Sequence, residues 1–363
     1  MYALQYSTYG PASKVLKYEE TQTPEIISPY DVIVKVVAAS INPIDWKMRS
    51  GAFKSVVGIK GQFIGGKDFS ASLNELINEK LFFSNNSNNN NSSGVIVAKG
   101  DKVDRLDIND QVFGCVMNGT FAEYVRVNTL KEGIEKKPLS ITHEEAAGVG
   151  ITALTSWGAL IDKGILPINP TTGKNKVMII GASGGCGTFS VQIAKNINKA
   201  HVTGVCSGKN VELVKSLGAD RVIDYTKIPD YFTYLLEENE KESFDLIIDF
   251  VGFDEFYTKS IPLLKKSGTF ISGSNELFFR NEQPSLLQYA TTFGSIAFKS
   301  VFGARRYRHL MGVQRTDLHK LLKYLENREI VTVITQKFKL EDGFKAHEAI
   351  ETTRTVGKII LTI

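Results

Sequence analysis

Short β-branched runs in which apolar and polar positions alternate fill the first hundred and thirty residues. Tyr2 to Tyr6 and Val15 to Glu19, on either side of a Tyr9-Gly10-Pro11 turn, read as strands. So do Asp31 to Ala38, Gly94 to Lys99, Gln111 to Cys115 and Phe121 to Val127. From Lys176 the pattern changes to strand and helix in turn. Strands over Val177 to Ile180, His201 to Val205, Arg221 to Ile223, Phe244 to Phe250 and Thr269 to Ser272 are interleaved with helices over Gly185 to Asn196 and Val211 to Leu217. That alternation predicts βαβ units and a parallel sheet covered on both faces. The C-terminal stretch predicts a helix over Leu318 to Asn327, a strand over Ile330 to Gln336, a helix over Glu341 to Thr352 and a last strand over Lys358 to Thr362. The fold class is α/β, with a β-rich unit ahead of a doubly wound parallel sheet.

One segment breaks the pattern. Leu73 to Phe83 leads into an asparagine- and serine-rich tract, Ser84 to Ser93, too polar to bury the apolar area that would offset its ordering entropy. A disordered surface insertion over 71–93 is expected. With 363 residues the chain is long enough for two domains, and 42% hydrophobic with 23% charged residues excludes a fibrous or mostly disordered protein. Lys and Arg outnumber Asp and Glu by 43 to 39 with no basic arm, so nucleic acid is not indicated as a partner. Three cysteines without paired spacing, Cys115, Cys186 and Cys206, argue against a disulfide framework or a zinc finger and fit a reducing compartment. No uncharged apolar run reaches membrane-spanning length, and no secretory leader is read at the N-terminus, so a cytoplasmic location is expected. The longest candidate, Tyr289 to Gly303, is interrupted by Lys299 and followed by Arg305, Arg306, Arg308 and His309. It reads either as a cover over a substrate cleft or as a segment resting on an anionic lipid surface.

The strongest chemical signal is Gly181-Ala182-Ser183-Gly184-Gly185-Cys186-Gly187, between an apolar strand and a helix. Strand, glycine turn and helix in that order set backbone N–H groups and a helix N-terminus against a pyrophosphate. The same residues spell G-x-S-x-G through Gly181, Ser183 and Gly185, the setting of a hydrolase nucleophile. The third glycine, Gly187, has no use in a nucleophile elbow and favours the dinucleotide. At the end of the next strand an NAD site would carry an acidic residue for the ribose 2′-hydroxyl. Cys206-Ser207-Gly208-Lys209-Asn210 has none, while Ser207 and Lys209 suit a 2′-phosphate, so NADPH is the expected cofactor.

Five motifs in order resemble the zinc-free, quinone-oxidoreductase-like branch of the medium-chain dehydrogenase/reductase superfamily, which includes zeta-crystallin and the alkenal and enone reductases. They are Ile41 to Gly51, Asp110 to Gly114, Phe121 to Val125, Gly181 to Gly187 and Val356 to Leu361. The resemblance implies a GroES-like substrate domain over 1–130 and 276–363 and a Rossmann NADPH-binding domain over 131–275. The family's catalytic-zinc ligand positions fall near Asn42 and Lys67, neither a metal ligand, so no metal is expected and hydride would go to a quinone or an α,β-unsaturated carbonyl. By the same resemblance Asn42 and Lys47 lie beside the nicotinamide and its ribose, Asp45 anchors their loop, and Thr152 and Thr155 line the nicotinamide side. Lys47 is the candidate donor to the ribose or to a developing enolate oxygen. Gly181, Ser183, Gly184, Gly185, Cys186 and Gly187 would cradle the pyrophosphate, with Ser207, Lys209 and Tyr225 around the 2′-phosphate. Gly252, Gly273 and Ser274 would lie where strands end above the cofactor. The family also suggests a homodimer joined through an edge strand, Thr269 to Ser272. The asparagine-rich tract resembles insertions of yeast proteins, and the nearest relatives suggested are fungal members linked to lipid droplets, mitochondria or membrane trafficking. A peripheral place on lipid droplets or mitochondria therefore accompanies the cytoplasmic expectation. An alternative is an NADPH-binding, weakly catalytic or non-catalytic protein that associates with lipid surfaces.

Overall fold

The computed structural model describes residues 1–54, 61–71, 96–170, 174–275, 277, 284–310 and 312–363. The tract over 71–93, expected to be a disordered insertion, lies outside the described residues except for residue 71. Two six-stranded sheets carry the architecture. The first runs Gly133–Lys136, Val112–Cys115, Asp68–Ala71, Ala38–Ile41, Lys358–Thr362 and Ile334–Lys339 in spatial order. Only its last pair is parallel. The C-terminal strand is therefore an interior member of the sheet that the N-terminal residues begin. Leu4, Val32, Phe69, Ile96, Phe121, Ile359 and Leu361 fill one core beneath these strands.

The second sheet is parallel throughout and comprises Lys176–Ile180, His201–Cys206, Arg221–Asp224, Phe244–Asp249, Leu264–Ser272 and Arg306–His309. Counted along the chain, the strands lie in the order third, second, first, fourth, fifth, sixth. The direction of winding reverses beside the first strand, which opens a crevice at the carboxyl ends of the strands. Val177, Met178, Ile179, Ile180, Leu246, Ile247 and Ile248 are all buried, as strands covered on both faces require. Phe189, Val191 and Ala194 pack on one face, Phe232, Leu235 and Tyr257 on the other.

Several expected elements shift. Asp31 to Ala38, read as one strand, divides into Asp31–Lys35 and Ala38–Ile41 in different sheets. The chain changes sheet where Val36 N–H donates to Glu123 O and Val37 N–H to Ser70 O. The strand expected at Val15 starts at Lys17, after a helical turn Ala12–Val15. The strand expected from Ile330 starts at Ile334, because Gln192 captures both polar groups of the Val331 backbone, at 2.8 and 2.9 Å. Thr269–Ser272 is not a sheet edge: Arg306–His309 pairs outside it. The parallel sheet thus draws a strand from beyond residue 275, where the sequence reading ended that domain. The helices His143–Ala147 and Gly150–Trp157, the second of them mostly buried, were not anticipated.

A buried guanidinium fixes the helix Pro43–Ser50 in the first domain. Arg49, 1% exposed, donates from Nε to His347 Nδ1 at 3.4 Å and from its terminal nitrogens to Gly10 O and Glu351. The helix is thereby tied to Gly343–Glu351 near the C-terminus. Burial and the Arg49 charge push the His347 imidazole down to about 3, so it is neutral and accepts. Arg49→Met should lower the free energy of unfolding by about 3 kcal/mol, because the groups it satisfies are left without a donor. Urea denaturation measures this, and an unchanged midpoint would contradict it.

Candidate active site

The site is assembled around one carboxylate. Asp68 is fully buried, and its Oδ2 accepts from Asn42 Nδ2 at 2.9 Å and from Ser40 Oγ at 3.1 Å. Its Oδ1 accepts from the Ile151 backbone N–H at 2.8 Å. Lys358 Nζ stands 3.9 Å from the same carboxylate and donates to Asn42 Oδ1 at 2.7 Å. Thr152 Oγ1 donates to that oxygen at 3.4 Å. Asn42 is thus held from both ends of its amide by residues from three separate stretches of chain. The fit is close: a Cβ on Gly150 would collide with Asp68 Oδ1.

Asn42 also starts the helix Pro43–Ser50. Its backbone N–H donates to Asp45 Oδ2 at 2.8 Å, an acid in the first turn answering the orphan donor. Asp45 is 4% exposed, and burial raises its carboxyl to about 6, against the opposing pull of Lys67. Lys47, one turn on, is 9% exposed; burial lowers its ammonium to about 8. Its Nζ lies 5.7 Å from the centroid of the Trp46 ring. Asn42, Asp45 and Lys47 therefore share one short helix, and Thr152 meets them from the helix Gly150–Trp157. Thr155 does not reach Asn42 in the described network; its hydroxyl donates to Ile151 O at 2.7 Å.

The glycine loop adjoins this network. The helix Gly185–Gln192 begins within it, and first-turn N–H groups lack intrahelical partners. Gly187 packs so close to the loop that a Cβ there would run into Gly181 O. Gly357 N–H donates to Ser183 O at 2.9 Å, and Gly185 faces Thr152 and Lys358. The same short strand that brings Lys358 to Asn42 therefore grips the loop. Ser156 Oγ donates to Cys186 O at 2.8 Å, and burial raises the Cys186 thiol to about 11, an inert group at neutral pH.

At the other end of the loop Asn210 Nδ2 donates to Ser183 Oγ and Ser207 Oγ, both at 3.1 Å. It joins the loop to the turn where Lys209 is exposed. Tyr225 is 47% exposed at the end of the third strand of the parallel sheet. The Asp249 carboxylate holds the adjoining turn: it accepts from Val251 N–H at 2.8 Å and Gly252 N–H at 3.0 Å. Gly273 N–H donates to Asp249 O at 2.7 Å, and Gly252 abuts Ser274 and Asn275. Gly252, Gly273 and Ser274 thus lie together at the carboxyl ends of the fourth and fifth strands. The sequence reading missed Asp68, Lys358, Ser40 and Asn210. Lys358 stood inside the motif Val356 to Leu361 and Asp68 beside Lys67, but nothing local marks a carboxylate whose partners come from other parts of the chain.

The loop is an open cradle of small residues with a helix N-terminus behind it, a hydroxyl at Ser183 and an exposed cation at Lys209, and these fit a dinucleotide phosphate. Among the described residues no group of three His, Cys, Asp or Glu side chains is placed to hold a metal ion. Lys67, near which the resemblance sets one of the family's zinc-ligand positions, donates to Met117 O and Asn118 Oδ1. No described helix is long and apolar enough to cross a membrane.

A doubly wound sheet with a glycine loop at its first strand, clasped by a β-rich domain whose last strand grips that loop, defines a two-domain dinucleotide-binding fold. Residues 28–138 match the family model of the alcohol dehydrogenase GroES-like domain, and residues 217–361 that of the zinc-binding dehydrogenase. The human protein NAD(P)H oxidoreductase RTN4IP1, mitochondrial, is 32% identical over 372 residues, covering 98% of this chain and 87% of its own. The chloroplastic quinone-oxidoreductase homolog of spinach is 26% identical over 364 residues, covering 99% and 98%. Among solved structures the quinone oxidoreductase of Coxiella burnetii has a TM-score of 0.75 at 26% identity, covering 100% of this chain and 99% of its own. That of Escherichia coli, complexed with NADPH, has a TM-score of 0.76 at 20% identity, with both chains covered in full. The chain belongs to the medium-chain dehydrogenase/reductase superfamily, in its quinone-oxidoreductase-like branch.

The folded value of Asp45 lies above its ordinary 3.8, so the native chain takes up a proton that the unfolded chain does not. Its stabilising contribution is full below that ordinary value and is lost as the pH rises through about 6. Asp45→Asn should therefore flatten the dependence of the urea midpoint on pH between these limits; an unaltered slope would contradict the assignment.

Proposed function

We propose that this protein is an NADPH-dependent reductase that passes hydride to a quinone or an α,β-unsaturated carbonyl. The observation that carries the reading is the Asn42–Asp68–Lys358–Thr152 network, which fixes the amide of Asn42 beside the glycine loop. Bound there, the reduced nicotinamide would supply the hydride. The chain's own residues do the rest. Gly181, Ser183, Gly184, Gly185, Cys186 and Gly187 bind the pyrophosphate, and Ser207, Lys209 and Tyr225 take the 2′-phosphate. Asn42, Thr152 and Thr155, with Gly252, Gly273 and Ser274, orient the nicotinamide end. Asp45 holds the start of the Asn42 helix, and Lys47 donates to the ribose or to the oxygen that gains charge.

Quenching of intrinsic fluorescence by NADPH and NADH tests the cofactor assignment. NADPH should bind the more tightly, and Lys209→Asp should weaken it by more than about tenfold, since a charge-assisted contact becomes a repulsion. Equal binding of both nucleotides, or no effect of Lys209→Asp, would contradict it. Lys47→Ala should lower turnover by about a hundredfold while leaving NADPH bound. Because burial brings the Lys47 ammonium to about 8, turnover should decline as the pH rises through that value, and Lys47→Arg should remove the decline.

One surface decides between a homodimer and a second reading, an NADPH-binding, lipid-associated protein with negligible turnover. The helix Leu286–Phe302 turns its apolar side to solvent: Leu287 is 73% exposed, Phe298 64%, Val301 71% and Phe302 71%. We infer that a second copy of this chain covers it. Small residues, Ala290, Gly294 and Ala297, form the middle of the exposed stripe, and large ones stand at both ends, a self-complementary pattern about Gly294. The open edge Arg306–His309 follows directly. Sedimentation equilibrium should give twice the chain mass, and Phe298→Glu should halve it. A monomeric wild type that sediments with anionic vesicles would instead support the lipid-associated reading.

A further inference from the structure

Three buried amines lie in or near the site, and their surroundings differ. Lys358 is committed to Asn42 Oδ1 and Asp68. Lys47 stands on the Asn42 helix. Lys67 is 8% exposed and directed to the loop over 116–120, where its Nζ donates to Met117 O and, at 3.4 Å, to Asn118 Oδ1. Both acceptors are neutral. The segment around Lys67 cannot easily swing away. Val116 N–H donates to Lys67 O at 2.8 Å, and Gly119 N–H and Phe121 N–H donate to Gly65 O at 3.2 and 3.1 Å. The rim reaches solvent at Met117, which is 53% exposed. Burial, the largest effect, disfavours the charged form of Lys67 and Arg315 adds to this, while Glu132, itself paired with Arg315, and both Asp45 and Asp68 favour it. The Asp45 and Asp68 carboxylates are occupied by the donors around Asn42. An ammonium out of water whose hydrogen-bond acceptors are both neutral gains from an anion brought to it.

We propose that Lys67 is a second acid of the site: it binds the oxygen of the acceptor that becomes anionic on reduction and gives it a proton. The assignment rests on the reductase reading. The C–H bond at the nicotinamide breaks with its electron pair, which forms the new bond to the acceptor. The acceptor's π electrons move to its oxygen, a Lys67 N–H bond breaks and an O–H bond forms. The nicotinamide is oxidised and the acceptor reduced by two electrons, and the neutral amine recovers its proton from water at the Met117–Asn118 rim. An acceptor without an oxygen to carry the charge would gain nothing from Lys67.

The test uses 2-hydroxy-1,4-naphthoquinone, an anion at neutral pH, titrated calorimetrically into the full chain loaded with NADP⁺, where no turnover occurs. Wild type should bind it. Lys67→Met should weaken that binding by about 30-fold, the loss expected for a charged hydrogen bond, with NADP⁺ affinity retained, and Lys67→Arg should restore it to within a few-fold. Asn118→Asp keeps the lysine and sets a carboxylate beside it, so it should weaken the anion as well, and it reports even where Lys67→Met fails to fold. In turnover, Lys67→Met should lower kcat for a neutral quinone and leave KM unchanged. Anion binding equal to wild type in Lys67→Met or Asn118→Asp would overturn the assignment. Failure of wild type to bind NADP⁺ in the loading step would overturn the reductase reading itself, and it is seen before any anion is added.

Discussion

Asp68 carries a negative charge that has no access to water, and the arrangement of the site follows from neutralising it. A buried carboxylate must be met by donors and by positive charge, or several kcal/mol are lost. Here the donors come from Ser40 and Asn42 on one side and from the Ile151 backbone on the other, with Lys358 completing the set. Meeting those requirements brings an interior strand of the β-rich domain, the start of the Asn42 helix, the helix Gly150–Trp157 and the last strand of the chain to one point. Asn42 then has no free rotation: its amide is read on the nitrogen by Asp68 and on the oxygen by Lys358 and Thr152. A side chain locked in this way is preorganised for a ligand, since little freedom remains to be lost on binding.

The same constraint accounts for the path of the chain. The C-terminal strand has to return to the first domain because Lys358 is needed there, and on its way Gly357 bonds to Ser183 of the glycine loop. The glycine loop and the Asn42 helix are therefore coupled through two adjacent residues, Gly357 and Lys358. The two domains can be pictured as one β-rich layer and one doubly wound layer sharing this short strand as a clasp. Arg49 and Gln192 act in the same manner farther out, each satisfying backbone or side-chain groups of a segment distant in sequence.

How much of this could be read from the residues depended on distance along the chain. The loop Gly181 to Gly187 was legible because strand, turn and helix are consecutive, and so was the alternation that builds the parallel sheet. The Asn42, Asp45 and Lys47 cluster was legible only through family resemblance, although the spacing of Asn42 and Asp45 is that of a helix start. Asp68, Lys358 and Asn210 were not legible as a site, since Asn42 and Lys358 stand 316 residues apart and nothing in either neighbourhood marks the other. The single apolar run Asp31 to Ala38 could not reveal that it serves two sheets, because both halves are buried and periodicity is blind to a change of partner. The strand at Ile334 was placed too early for a similar reason: Gln192 competes for the Val331 backbone, and the competitor is remote in sequence.

The central claim is that this buried network sets a nucleotide against an acceptor and leaves the chain's own amines to handle the charge. It is tested most directly by a single-turnover experiment on protein dialysed against a chelator and loaded with NADPH. On mixing with 1,4-naphthoquinone or an enone, absorbance of the reduced nicotinamide should disappear in wild type at a rate that Lys47→Ala lowers. Bound NADPH that persists unchanged with every quinone and enone offered would contradict the account.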